Sequence, residues 1–168
     1  YDVSQRFMMD NYKIMTNLKK EYRDAKIELN LATSETMANT PDNYGDFTIT
    51  SPPYWDIEDY GDEPEQLGKW AKTYDSFMDK MAIVAKQNYR TLKSGAFATW
   101  FINDFRMDGK FYSYHIDTKR ILEEAGFIMW DIMIVDLGRA FRESFISQIV
   151  KQKILPKRHE YGIVVRKP

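Results

Sequence analysis

The stretch Phe47-Thr48-Ile49-Thr50-Ser51-Pro52-Pro53-Tyr54-Trp55 decides how this chain is read. Four residues of strand propensity run into a turn stiffened by two prolines. Proline has no N–H to donate and holds φ near about −65°, so the Pro52 carbonyl is offered from a nearly fixed position. Beside it stand the Ser51 hydroxyl and the rings of Tyr54 and Trp55. Two acceptors next to flat aromatic faces suit a planar ring that bears an exocyclic amino group: the acceptors take the amine hydrogens and an aromatic stacks on the ring. A Pro-Pro pair taken alone is more often just a turn or a short polyproline segment. A Pro-Pro-x-Tyr adaptor ligand does not apply, because Tyr54 follows Pro53 directly. The motif follows a β-like run, where open α/β sheets put their ligand sites, and that favours a site over a turn.

Strand and helix patterns alternate along the rest of the chain. Ser4 is a helix N-cap candidate, and Met8, Tyr12 and Met15 follow helical spacing toward Lys19-Lys20. Residues 27–32 read as a short strand, and the turn-rich stretch Asn39–Asp46 leads into the strand at 47–50. A long helix carries Trp70, Tyr74, Phe77, Met78, Met81, Ala85, Asn88 and Leu92 near one face and is expected to close at Ser94-Gly95. Ala96–Asn103 is a nearly continuous apolar run, the pattern of a strand buried on both faces. A second amphipathic helix over 112–125 closes at Gly126, followed by strand Phe127–Val135, a partly helical basic segment around 142–152, and a final strand Glu160–Arg166. The alternation predicts one α/β domain with a mostly parallel sheet.

Composition narrows the chemistry. The 168 residues, 43% hydrophobic and 29% charged, describe one ordinary globular domain with room for a core. No run approaches the ~18 apolar residues of a membrane span. There is no cysteine, hence no disulfide, no thiolate metal site and no cysteine nucleophile. The acidic residues Asp56, Glu58, Asp59, Asp62, Glu63 and Glu65 lack the spacing of a calcium loop and read as a solvated loop, so no metal is expected. His115 reads as a partly exposed helix residue, and His159 as a surface or pocket-lining one. The net charge of −1 hides a split: residues 139–168 hold eight Lys/Arg against two acidic residues, leaving 16 basic against 23 acidic before them. Arg139, Arg142, Lys151, Lys153, Lys157 and Arg158 therefore form a candidate phosphate-facing surface.

Thr50-Ser51-Pro52-Pro53-Tyr54-Trp55 resembles the catalytic motif of amino-methylating DNA methyltransferases, which act on cytosine N4 or adenine N6. The resemblance implies a Rossmann-like, S-adenosylmethionine-dependent methyltransferase sheet, with 27–34 as its third strand and loop, 47–55 its fourth, 96–103 its fifth, 127–135 its sixth and 160–166 its seventh. It implies Ser51, Pro52, Pro53 and Tyr54 as catalytic residues, Trp55 and the basic segment on DNA, and Thr50, Thr33, Ser34 and Asp2 near the cofactor. Asp2 would hold the ribose, since a carboxylate accepts two hydrogen bonds from a diol. Thr33-Ser34 stand where relatives carry an acidic residue for the adenine. No Gly-x-Gly occurs, so the family's first strand and cofactor loop are missing, and the chain reads as an N-terminally truncated catalytic domain that is inactive alone. The resemblance also implies a prokaryotic or phage-encoded cytoplasmic protein. Serine at position 51 points to cytosine N4 over adenine N6. A methyltransferase for RNA or protein, and a non-catalytic DNA-binding remnant, stand beside the DNA enzyme as alternatives.

Overall fold

A computed structural model of the chain describes residues 16–17, 26, 28, 30, 32–57, 71–138, 150–151, 153, 155 and 157–168. The first element is strand β1 (Gly45–Thr50), followed by helix α1 (Tyr74–Thr91) and strand β2 (Leu92–Ile102). A short hairpin, β3 (Phe105–Met107) and β4 (Lys110–Tyr112), precedes helix α2 (Tyr114–Glu124), and strands β5 (Ile128–Asp136) and β6 (His159–Arg166) complete the order. The sheet runs β1-β2-β6-β5, with β1 parallel to β2 and β6 antiparallel to both of its neighbours. Strands 47–50, 96–103, 127–135 and 160–166 are thus found as expected, with no end shifted by more than four residues.

Alternation along the strands separates the two faces. Ala98, Trp100 and Ile102 of β2 and Ile163 and Val165 of β6 are fully buried and share one core with Phe77, Met81 and Ala85 of α1 and Tyr114 and Leu122 of α2. On β1 the residues of opposite parity, Phe47 and Ile49, are 54% and 65% exposed. The outer edge of β1 pairs with no other strand among the described residues.

One polar residue ties the layers together. Asn88 is buried on α1; its amide donates to Thr48 Oγ1 on β1 at 2.9 Å, and its Oδ1 accepts from Trp100 Nε1 on β2 at 3.2 Å. Without it, the buried Trp100 indole N–H and the half-buried Thr48 hydroxyl lose their partner.

Three expectations are corrected. The long helix starts after Thr73, whose side chain forms a capping box with Ser76, and it stops at Thr91 instead of Ser94-Gly95. The cause is tertiary. Lys167, just past β6, donates from Nζ to the carbonyls of Tyr89 and Leu92 and to Asn43 Oδ1 at 2.7–2.9 Å, closing the helix end without glycine. Gly95 sits inside β2 at φ 84°, with its N–H on the Lys167 carbonyl. Helix α2 begins at Tyr114, because 110–112 are taken by the hairpin. Residues 28, 30 and 32, in the expected strand 27–32, belong to no strand and have no ladder partner. Of the expected N-terminal helix, Thr16 and Asn17 are helical; Ser4, Met8, Tyr12 and Met15 lie outside the described residues, as does Trp70.

Asn88→Ala should lower the unfolding free energy by about 2–3 kcal/mol, because it strands the Trp100 indole N–H as well as opening space. Thr48→Val should cost less than about 1.5 kcal/mol. Urea unfolding of both variants measures the difference; equal effects would remove Asn88 from this role.

Candidate functional site

Because β1 and β2 are parallel, they end at the same edge of the sheet. There β6 begins, antiparallel, and β5 ends, with Asp136 paired to His159. This edge gathers Thr50–Trp55, Asn103 and Asp104, Asp136–Gly138, and Lys157–His159. The sequence motif therefore stands where a parallel sheet places ligands.

Ser51 is exposed and its side chain makes no hydrogen bond among the described residues, while Pro52 is buried and Pro53 and Tyr54 are half-buried. The Pro53 carbonyl is occupied: the hydroxyl of the fully buried Tyr114 donates to it at 3.1 Å. Tyr54 meets the rings of Phe105 and Tyr114 edge-on, with centroids 6.4 and 5.8 Å away. Trp55 has φ 48°, a left-handed conformation rare for a bulky residue and costly by about 1–3 kcal/mol. Its surroundings hold it there. Trp55 Nε1 donates to the Ala71 carbonyl at 2.9 Å, and its ring lies edge-on to Tyr74 and Tyr112. Tyr74 in turn donates to Asp117 Oδ2 at 2.8 Å. Burial, and then the Asp117 carboxylate, push the Tyr74 phenol well above its ordinary range.

A second cluster adjoins the motif; the sequence pointed to His115 and His159 in it, but not to Asp104, Tyr161 or Asn103. The Asp104 side chain, 5% exposed, accepts from the His115 backbone N–H at 3.2 Å and lies 2.6 Å from His115 Nδ1. The His115 ring stacks on Tyr161, with centroids 4.2 Å apart and planes at 13°, and His159 meets Tyr161 edge-on. Burial, with the nearby Asp104, raises the Tyr161 phenol. Asn103 Nδ2 donates to the His159 carbonyl at 2.6 Å, and Asn103 Oδ1 is buried without a partner among the described residues. The Asp108-Gly109 turn, both residues at positive φ, was the available signal for the hairpin that brings Phe105 and Tyr112 here.

Of the remaining candidates, Thr50, Lys157 and Arg158 stand at this same edge, while Thr33 and Ser34 do not. Thr50 ends β1, paired with Trp100. Thr33 and Ser34 open a turn in which the Thr33 carbonyl accepts from Met37 N–H at 3.0 Å. Arg90, at the end of α1, binds the carbonyls of Thr36, Met37 and Thr40 and the Asp42 carboxylate. That ties the turn to the edge where β1 and β2 begin, so the structure does not bring Thr33 and Ser34 to the motif. Asp2, Arg139 and Arg142 lie outside the described residues, as do Glu58, Asp59, Asp62, Glu63 and Glu65. Lys151 and Lys153 are exposed, Lys153 at φ 53°. Lys157 donates to the Asp104 carbonyl at 2.6 Å and lies over the Phe111 ring, and burial lowers its ammonium from the ordinary lysine range. Arg158 reaches the Gly138 carbonyl at 3.1 Å and the exposed Asp136. Among the described residues no His/Asp/Glu group could hold a metal, and no helix is long and apolar enough to cross a membrane.

No family model and no curated protein matches the sequence. Solved structures do match the fold. A Thermus thermophilus protein, TTHA0409, assigned as a DNA modification methylase and complexed with S-adenosyl-L-methionine, superposes with TM-score 0.60 at 19% identity, over 82% of this chain and 52% of that one. The PvuII DNA methyltransferase, cytosine-N4-specific, gives TM-score 0.61 at 20% identity over 82% and 48%. A SAM-dependent methyltransferase from Methanosarcina mazei gives 0.50 at 11% over 85% and 68%. This chain thus has the α/β fold of S-adenosylmethionine-dependent methyltransferases, and it spans about half the length of the first two structures.

The raised Tyr74 phenol sets a pH dependence. The folded state keeps a proton that the unfolded chain loses above its ordinary pKa of 10.0, so the stability it contributes is full below about pH 10 and falls as pH rises further. Tyr74→Phe should show a shallower alkaline loss of stability than the parent between about pH 9 and 11. Parallel slopes in urea titrations at those pH values would contradict this.

Proposed function

We propose that this chain is the base-binding part of a DNA methyltransferase that moves a methyl group from S-adenosylmethionine to the exocyclic amino nitrogen of a flipped base, cytosine N4. The observation that carries the reading is the state of the motif at the sheet edge. Ser51 is exposed and unbonded, the Pro53 carbonyl is taken by Tyr114, and the Pro52 carbonyl has no partner among the described residues. The fold match supports the class of enzyme, and Ser51 at the head of the motif supports cytosine N4 over adenine N6.

The described residues fit the methyl-accepting side of such a site and not the cofactor side. Thr33 and Ser34 sit at the opposite edge, and the chain has no Gly-x-Gly turn. S-adenosylmethionine, when bound, would supply the electrophilic methyl group. The chain's own contribution is at the amine. The cytosine N4 lone pair is delocalised into the ring, which makes it a poor nucleophile. Accepting its two N–H hydrogens at Ser51 Oγ and the Pro52 carbonyl would draw the nitrogen toward tetrahedral geometry and free the lone pair for attack. The methylated nitrogen would then give up one of these protons to water. The work is positioning and local electrostatics, with no covalent protein intermediate. A base paired in duplex DNA must be turned out to reach this edge, and stacking on Tyr54 would hold it there, with about 1–3 kcal/mol per stacked base. Exposed Lys151 and Lys153, with Arg139 and Arg142, would contact phosphates and add affinity without reading sequence.

Tyr54→Ala in the full-length protein should lower methyl transfer to DNA by roughly 100-fold, a loss of stacking and alignment together, with cofactor affinity nearly unchanged. Ser51→Ala should lower the rate by about tenfold or more through loss of one acceptor. Transfer of labelled methyl groups at saturating cofactor measures both; unaltered rates would make the motif only a turn.

A further inference from the structure

We infer that Tyr114 is a positioning residue for the motif and that Asp104 is the anchor that aims it. The inference rests on the reading of Ser51–Tyr54 as the base pocket. Two consecutive proline carbonyls stand in the motif, and an amine offering two N–H groups to Ser51 and one carbonyl needs the other carbonyl kept out of competition. The Tyr114 hydroxyl does this by donating to Pro53 at 3.1 Å. Its ring has no freedom to move, being fully buried and in edge or tilted contact with Tyr54, Phe77 and Phe105. A hydrogen bond to Pro53 also fixes the peptide plane between Pro53 and Tyr54, and therefore the direction in which the Tyr54 ring leaves the chain.

Tyr114 is the first residue of α2, so its position depends on how that helix starts. Ser113, the N-cap residue, makes no side-chain capping bond. The Asp104 carboxylate, arriving from the end of β2, accepts the His115 N–H instead and pairs with the His115 ring. Asp104 is itself fixed, because Lys157 donates to its backbone carbonyl at 2.6 Å. His115 is braced from the other side by its stack on Tyr161. The end of β2, the first turn of α2 and the loop after β1 are thus one connected clamp, and its output is the placement of the Pro52 carbonyl and the Tyr54 ring.

The test uses single-turnover methylation by the full-length protein, with KM for DNA and cofactor measured alongside. Tyr114→Phe removes one oxygen and should lower the transfer rate by about tenfold, as expected for a displaced reacting group, while both KM values stay within about twofold. Asp104→Ala should lower the rate similarly, and Asp104→Asn, which keeps an acceptor for the His115 N–H, should restore most of it. The Tyr114→Phe/Asp104→Ala double variant should lose less than the product of the single losses, because both act through one clamp. A wild-type rate in Tyr114→Phe, a loss confined to KM, or an Asp104→Asn no better than Asp104→Ala would overturn the inference. If Tyr114→Phe does not fold, the Asp104 pair decides alone. The underlying reading fails differently: there, Tyr54→Ala would methylate as well as the parent, whatever the clamp variants do.

Discussion

The parallel pairing of β1 with β2 is the constraint on which the site depends. Parallel neighbours end at one edge, so the loop after β1 and the residues after β2 are forced together although about fifty positions separate Ser51 from Asn103 and Asp104. The α1 crossover holds that pairing. Its buried Asn88 bonds to both strands at once, and Lys167 fastens its C-terminal end to the turn before β1. A sheet built from these residues with β1 antiparallel would send the Ser51–Tyr54 loop to the opposite edge, away from Asp104 and His115.

Aromatic packing then converts a strained loop into a fixed one. Trp55 adopts a backbone conformation that its side chain disfavours, and it is retained by a hydrogen bond to Ala71 and ring contacts with Tyr74 and Tyr112. Tyr54 is bracketed by Phe105 and Tyr114. The strain at Trp55 lies four residues from Ser51, which is exposed and makes no side-chain hydrogen bond among the described residues. In the same region Trp55 is engaged by the fold, and Lys157 and Arg158 already have partners, so the charge of the basic segment overstates what is free to meet a phosphate backbone.

Local signals made much of this legible. The apolar run 96–103, the helical spacing of Phe77, Met81 and Ala85, and Gly126 after the second helix led to elements that exist. The motif itself was readable because prolines fix geometry from sequence alone. What the sequence hid was long-range. Nothing near Leu92 says that a lysine 75 residues later ends the helix there. His115 looked like an ordinary helix residue because its partner, Asp104, arrives from another strand. Thr33 and Ser34 looked close to the site only by counting strands; Arg90 draws their turn to the opposite edge. The Asp108-Gly109 turn was a local signal for a hairpin, but the helical pattern over 112–125 masked it.

The central claim is that the Ser51–Tyr54 edge activates an exocyclic amino group. Its most direct test is to incubate the full-length protein with unmethylated DNA and S-adenosylmethionine carrying an isotopically labelled methyl group, digest the DNA to nucleosides, and identify the labelled product by mass spectrometry. The expected product is N4-methyldeoxycytidine. Label found only as 5-methyldeoxycytidine would contradict the account, because that chemistry runs through a cysteine adduct and this chain has no cysteine.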